Sequence, residues 1–161
     1  MIASAQTLMR LAPIRDMHPR TIALGMTFGL GPAGYDIRLA QDIILDPHGF
    51  TLGSAMEYFQ MPNNLMGIVH DKSSLARRGL SVFNTVIEPN WNGYLTLELK
   101  NQDNEKLWLP MGTPIAQVVF HMLDQPTAMP YNGRYQDQAA GPQPAIYADD
   151  QTQLELWEAA A

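Results

Sequence analysis

Apolar and polar residues alternate in short runs over most of this chain, which is the period of a half-buried β-strand. Tyr35-Asp36-Ile37-Arg38-Leu39 alternates, Asp42-Ile43-Ile44-Leu45 follows, and Asp46-Pro47-His48-Gly49 interrupts with turn residues. Residues 57–61 and 65–70 predict two further strands around a Pro62-Asn63-Asn64 turn. Residues 80–87 and 93–100 predict two more, joined through Glu88-Pro89-Asn90-Trp91-Asn92. Residues 106–109 and 115–121 complete the run on either side of Pro110-Met111-Gly112.

Three stretches keep a different pattern. Ala5, Leu8, Met9 and Leu11 have helical spacing, and a Pro-containing connector leads on to residue 30. Residues 73–78 read as a short helix, with Ser74 as its cap and Gly79 as the left-handed residue that ends it. After Pro130 the chain is polar and aromatic without a period, and residues 139–150 read as a mobile arm. The expectation is one all-β domain over 1–161, with a short N-terminal helix and connector over 1–30 and a C-terminal arm over 130–161.

Composition narrows this picture. A chain of 161 residues can enclose one core, and 12 Gly and 12 Pro spread along it suit many strands joined by tight turns. A formal charge of -6 argues against non-specific nucleic-acid binding, which needs a basic surface, yet leaves room for a small anion at a local basic cluster. With no cysteine there is no disulfide and no zinc deaminase site of the His-x-Glu, Pro-Cys-x-x-Cys kind. His18, His48, His70 and His121 lack metal-ligand spacing, the 10 Met residues suit gaps in a core, and no Walker loop is present. Residues 1–11 are too polar for a secretory signal, and no run approaches the ~20 apolar residues of a membrane span. A cytoplasmic protein without a membrane or nucleic-acid partner is expected.

The candidate chemistry lies in Asp71-Lys72-Ser73-Ser74-Leu75-Ala76-Arg77-Arg78-Gly79 and in Leu97-Glu98-Leu99-Lys100-Asn101. Hydroxyls beside Lys and Arg can hold an oligophosphate, and a helix start favours an anion. A carboxylate set in an apolar strand can move protons. Period two places Thr96 and Glu98 on one face and Leu97 and Leu99 on the other, so by spacing alone Glu98 could be an ordinary solvent-facing residue. Ser73 and Ser74 could be caps, Trp91 could be packing, and of the consecutive Arg77 and Arg78 at most one faces a site.

Four blocks in order resemble the deoxycytidine triphosphate (dCTP) deaminases, which share a fold with the trimeric deoxyuridine triphosphatases (dUTPases). They are Ala33-Gly34-Tyr35-Asp36-Ile37-Arg38-Leu39, Lys72-Ser73-Ser74-Leu75-Ala76-Arg77, Ile87-Glu88-Pro89-Asn90-Trp91-Asn92-Gly93 running into Leu97-Glu98-Leu99, and Gly112-Thr113-Pro114-Ile115-Ala116-Gln117. Glu98 falls where the deaminases carry their catalytic glutamate and the dUTPases an apolar residue. Trp91 and the stretch Pro130-Tyr131-Asn132-Gly133-Arg134-Tyr135-Gln136-Asp137-Gln138 also resemble the deaminase branch, and the glycine-rich arm with its stacking Phe is absent.

The resemblance implies a distorted jelly-roll, a homotrimer with sites between subunits, and hydrolysis of dCTP to dUTP and ammonia. Glu98 would handle the protons of the attacking water, helped by a pKa near neutrality, with Ser73 and Arg77 as its catalytic partners. Lys72, Ser74, Glu88, Trp91, Gln117, Tyr131, Arg134, Tyr135 and Gln138 would bind the deoxynucleoside triphosphate, which would bring Mg²⁺ on its phosphates. Two departures bear on specificity. The stretch 81–87 is shorter than the matching base-reading hairpin, and Glu88 stands where both branches carry Asp. A modified pyrimidine, a dUTPase-type release of pyrophosphate with Glu88 as base, a bifunctional enzyme, and a nucleotide sensor without turnover all stay open.

Overall fold

A computed structural model of the chain describes residues 1–83 and 85–147. In chain order its elements are α1 (Ala5–Leu11), β1 (Thr21–Ala23), β2 (Met26–Gly31), β3 (Gly34–Arg38), β4 (Ile43–Leu45), β5 (Phe50–Gln60), β6 (Leu65–Asp71), α2 (Ser73–Ala76), β7 (Leu80–Val82), β8 (Val86–Ile87), β9 (Asn92–Asn101), β10 (Leu107–Leu109) and β11 (Pro114–Met122). Strands β1-β2-β3-β11-β6-β8 form one sheet, β5-β9-β7 a second, and β4 pairs with β10. The named strand pairings are antiparallel. Inward side chains of both large sheets, among them Tyr35, Ile37, Phe59, Leu97, Leu99 and Phe120, meet in one buried cluster. The mostly β architecture follows from the period-two pattern.

Strand β9 shows the rule most clearly. Leu95, Leu97 and Leu99 are buried, while Thr96, Glu98 and Lys100 lie half-open on the other face. The chain enters β9 through a tight turn in which Trp91 N–H donates to the Glu88 carbonyl at 3.1 Å. Pro89 stands at its second position and Asn90, with φ +73°, at its third, the residues a type II turn asks for.

A charged pair links the sheets. The Arg38 backbone N–H and Nε each donate to Glu57 at 2.8 Å, and the guanidinium lies 4.3 Å from the centre of the Phe28 ring. Glu57 is almost wholly buried, its side chain 3 % exposed.

The expected elements shift in five places. The connector before residue 30 contains the hairpin β1-β2, hidden in the sequence because Gly25, Gly29 and Gly31 dilute its apolar residues. Gly29 belongs there: its φ is +90°, and a Cβ would sit 2.4 Å from the Pro19 carbonyl oxygen. Strand β5 begins at Phe50, ahead of the expected 57–61 run. Residues 80–87 are not one strand, since β7 pairs with β9 and β8 with β6, so the chain crosses between sheets. Asn84, within that crossing, lies outside the described residues. Ser74 does not cap α2, because Lys72 holds the cap position without a side-chain bond and Ser74 Oγ lies 3.3 Å from Met26 Sδ. Gly79 does take the left-handed conformation, φ +79°. Residues 139–147 of the expected mobile arm continue a segment bonded to β9, while 148–161 lie outside the described residues.

Candidate active site

Glu98 opens into a cavity of about 550 Å³. Its strand position explains its surroundings: Leu52 of β5 is its direct cross-strand partner, Phe50 pairs with Lys100, and Thr96 is the next residue on the same face. Glu88 and Trp91 of the type II turn, Thr85 and Val86 beyond β7, and Tyr131, Tyr135 and Gln138 of the C-terminal segment complete much of the wall. Apolar neighbours strip water from the carboxylate, and this burial pushes the Glu98 pKa above its ordinary 4.5, against a smaller opposing pull from its own backbone N–H.

That shift has a sign that can be checked. Below the ordinary value Glu98 is protonated whether the chain is folded or not. As pH rises through the ordinary and then the raised value, ionising it in the fold costs stability, and the full cost remains above both. As a general base it works only when ionised, so the acid limb of a kcat/KM profile governed by Glu98 is expected above pH 4.5. A limb at or below that value would show that burial does not control the group.

The C-terminal segment is held by named bonds. Trp91 Nε1–H donates to the Tyr135 carbonyl, Gln136 Oε1 accepts from Asn92 N–H at 3.0 Å, and Gln138 Nε2 donates to Thr96 Oγ1. Gln143 N–H also donates to Thr96 Oγ1 at 3.0 Å, and Ile146 N–H to the Tyr135 hydroxyl at 2.8 Å. Gly93 allows this close approach, with φ +138° and Gln138 N only 2.6 Å from where a Cβ would stand. Gly93→Ala is expected to release the segment, which limited proteolysis would register as faster cleavage between residues 131 and 147. Unchanged cleavage would contradict this.

A second cavity, about 280 Å³, lies on the other large sheet. Lys72 and Ser73 at the start of α2, Gln117 of β11, Asp36 of β3, Asp71, Thr27 and Arg20 line it. Gln117 is placed by register, opposite Asp36 on one side and His70 on the other. Lys72 is not free: its Nζ lies 2.7 Å from Asp36 Oδ2, and the two side chains are 10 % and 16 % exposed. Asp71 Oδ1 accepts from Val82 N–H at 2.7 Å. The two cations Arg20 and Lys72 are thus matched by two carboxylates.

The expected site residues therefore separate. Glu98, Glu88, Trp91, Tyr131, Tyr135 and Gln138 share the first cavity, whereas Lys72, Ser73 and Gln117 share the second. Ser74, Arg77 and Arg134 are exposed and line neither. Trp91 uses its indole N–H to hold the Tyr135 backbone, so its place is in the wall as an anchor of the segment. Thr96, Phe50, Leu52, Asp36 and Asp71 are additions to the expected set. Alternation from Glu98 points to Thr96, but the β5 register and the Lys72 to Asp36 pair leave no local mark in the sequence. Among the described residues no group of three or more His, Asp or Glu could hold a metal ion, and no helix is long and apolar enough to cross a membrane.

Comparison with known proteins identifies relatives in sequence and in fold. The chain is 34% identical over 122 residues to a dCTP deaminase of Pyrococcus horikoshii, covering 66% of this chain and 78% of the relative. It is 29% identical over 155 residues to a dCTP deaminase of Chlamydia abortus, covering 76% and 82%. In fold it is similar to the dUTPase of Staphylococcus aureus phage phi11, whose structure describes the coordination of a structural Mg(II) ion, with TM-score 0.55 and 15% identity over 74% of this chain and 92% of that one. The dCTP deaminase-like family matches residues 33–123, from the strand that carries Asp36 through Glu98 to the end of β11, and the chain belongs to that family.

Proposed function

We propose that this protein hydrolyses dCTP to dUTP and ammonia, with Glu98 as the proton-transfer group. The observation that carries the reading is a carboxylate of raised pKa set among apolar side chains in a cavity with room for a nucleobase. Glu98 takes a proton from water as its oxygen bonds to C4 of cytosine, delivers it to N3, and assists proton transfer to N4 as the C4–N4 bond breaks and ammonia leaves. Thr96 and Gln138 offer polar atoms beside it.

Triphosphate binding falls to Lys72, Ser73 and Gln117 of the second cavity, with Ser74 exposed outside it. Because Asp36 and Asp71 offset the cations of that cavity, a bare polyanion fits poorly there and a Mg²⁺ nucleotide fits better. Mg²⁺ would then be held by the substrate's phosphates, with Asp36 and Asp71 beside it. A jelly-roll homotrimer reconciles the two cavities: Lys72, Ser73, Ser74 and Arg77 of one subunit would complete the Glu98 cavity of the next.

Product identification from dCTP and Mg²⁺ tests the reaction, with dUTP expected. Mixing tests the shared site. Glu98→Gln and Arg77→Ala chains, each inactive alone, should recover about a quarter of native activity when reassembled together, the share of interfaces that random assortment makes whole. No recovery despite chain exchange would place both residues in one subunit's site. A second reading, release of pyrophosphate with Glu88 as base, is favoured by the exposed Glu88 carboxylate on the same cavity. It predicts a nucleoside monophosphate as product.

A further inference from the structure

The wall around Glu98 is two-sided. Along β9 it is polar, with Thr96 Oγ1 joined by Gln138 and Gln143. Across the sheet it is apolar: Leu52 stands directly opposite Glu98, Phe50 follows on the same face, and Val86 also lines the cavity. Phe50 and Val86 remain 53% and 47% exposed, and Phe83 braces Phe50 with ring centres 6.1 Å apart. An apolar surface half open to water beside a reactive carboxylate is suited to an apolar part of the ligand.

A cytosine ring has the same two-sidedness. From C4, one direction leads to N3 and O2, which need hydrogen-bond partners, and the other leads to C5 and C6, which do not. Leaving the polar edge against Leu52 and Phe50 would strand it without partners, so it belongs beside Thr96 and Gln138, with C5 turned toward the apolar wall. We propose that Phe50, Leu52 and Val86 read the C5 edge of the pyrimidine, so that the site prefers deoxycytidine triphosphates bearing an apolar 5-substituent, 5-methyl-dCTP before dCTP. The inference rests on the Glu98 cavity being the base site. The reaction then balances as before: water adds its oxygen at C4, the C4–N4 bond breaks, ammonia leaves, and 5-methyl-dCTP becomes dTTP.

Binding and turnover are measured separately, so that this inference and the deaminase reading can fail independently. Calorimetric titration of full-length Glu98→Gln protein with Mg²⁺ and each nucleotide gives the affinities without turnover. A buried methyl group implies about fourfold tighter binding of 5-methyl-dCTP than of dCTP, and weaker binding of 5-hydroxymethyl-dCTP than of 5-methyl-dCTP. Leu52→Asn, and separately Phe50→Ala at an exposed position tolerant of truncation, should each return the methyl preference to near one. A preference at or below one with Leu52 intact, one unchanged by both substitutions, or no binding of any of the three nucleotides overturns the proposal. If 5-methyl-dCTP is preferred and both substitutions erase the preference, while native enzyme releases ammonia from neither dCTP nor 5-methyl-dCTP, the wall stands and the deaminase reading falls.

Discussion

Glu98→Gln is expected to lower dCTP deamination by about 10²–10⁴-fold, the range of a lost general acid-base group, while the protein folds as before. Gln keeps the size of Glu and can still accept a hydrogen bond from water, but it cannot take the water's proton. Folding should be unharmed, since burial makes the ionised carboxyl a cost to the fold and Gln removes that cost. Glu88 is exposed at the same cavity, and Glu88→Gln should leave deamination within about tenfold of native, short of a lost acid-base step. Steady-state ammonia release with thermal melting of both variants checks the pair. Full deamination by Glu98→Gln, or collapse in Glu88→Gln alone, would transfer the chemistry to Glu88.

Arg38→Met is expected to cost about 3 kcal/mol, because it leaves the Glu57 carboxylate buried without its guanidinium. At this chain length that corresponds to a fall in Tm on the order of 10 °C. The companion Arg38→Met, Glu57→Leu should recover part of the loss, since an apolar pair removes the uncompensated charge but leaves the Arg38 backbone N–H without its acceptor. Differential melting of the single and double variants reads both effects. If the double variant is no more stable than the single one, the pair contributes through geometry, chiefly the bond from Arg38 N–H to Glu57 and the Arg38 contact with Phe28, more than through charge.

Much of the fold was legible because half-buried strands keep period two. The faces of β9 follow from Leu95, Leu97 and Leu99 alone, and the turn before it follows from Pro89 and Asn90. What period two cannot convey is which strand lies beside which. Residues 80–82 and 86–87 read as one strand, yet they join different sheets. The polar position of Glu98 in an apolar strand and the Lys-Ser-Ser run drew attention to residues that the structure places on cavity walls, Glu98 on the first and Lys72 and Ser73 on the second. Their separation into two cavities, Leu52 opposite Glu98, and Asp36 bound to Lys72 all arise from contacts distant in sequence, where no local pattern records them.

The most direct measurement is to incubate the native protein with dCTP and Mg²⁺ in H₂¹⁸O and locate the label by mass spectrometry. Attack of water at C4 predicts dUTP with ¹⁸O in the base and unlabelled phosphates. Label on phosphate, with a nucleoside monophosphate and an unlabelled base, would contradict the account.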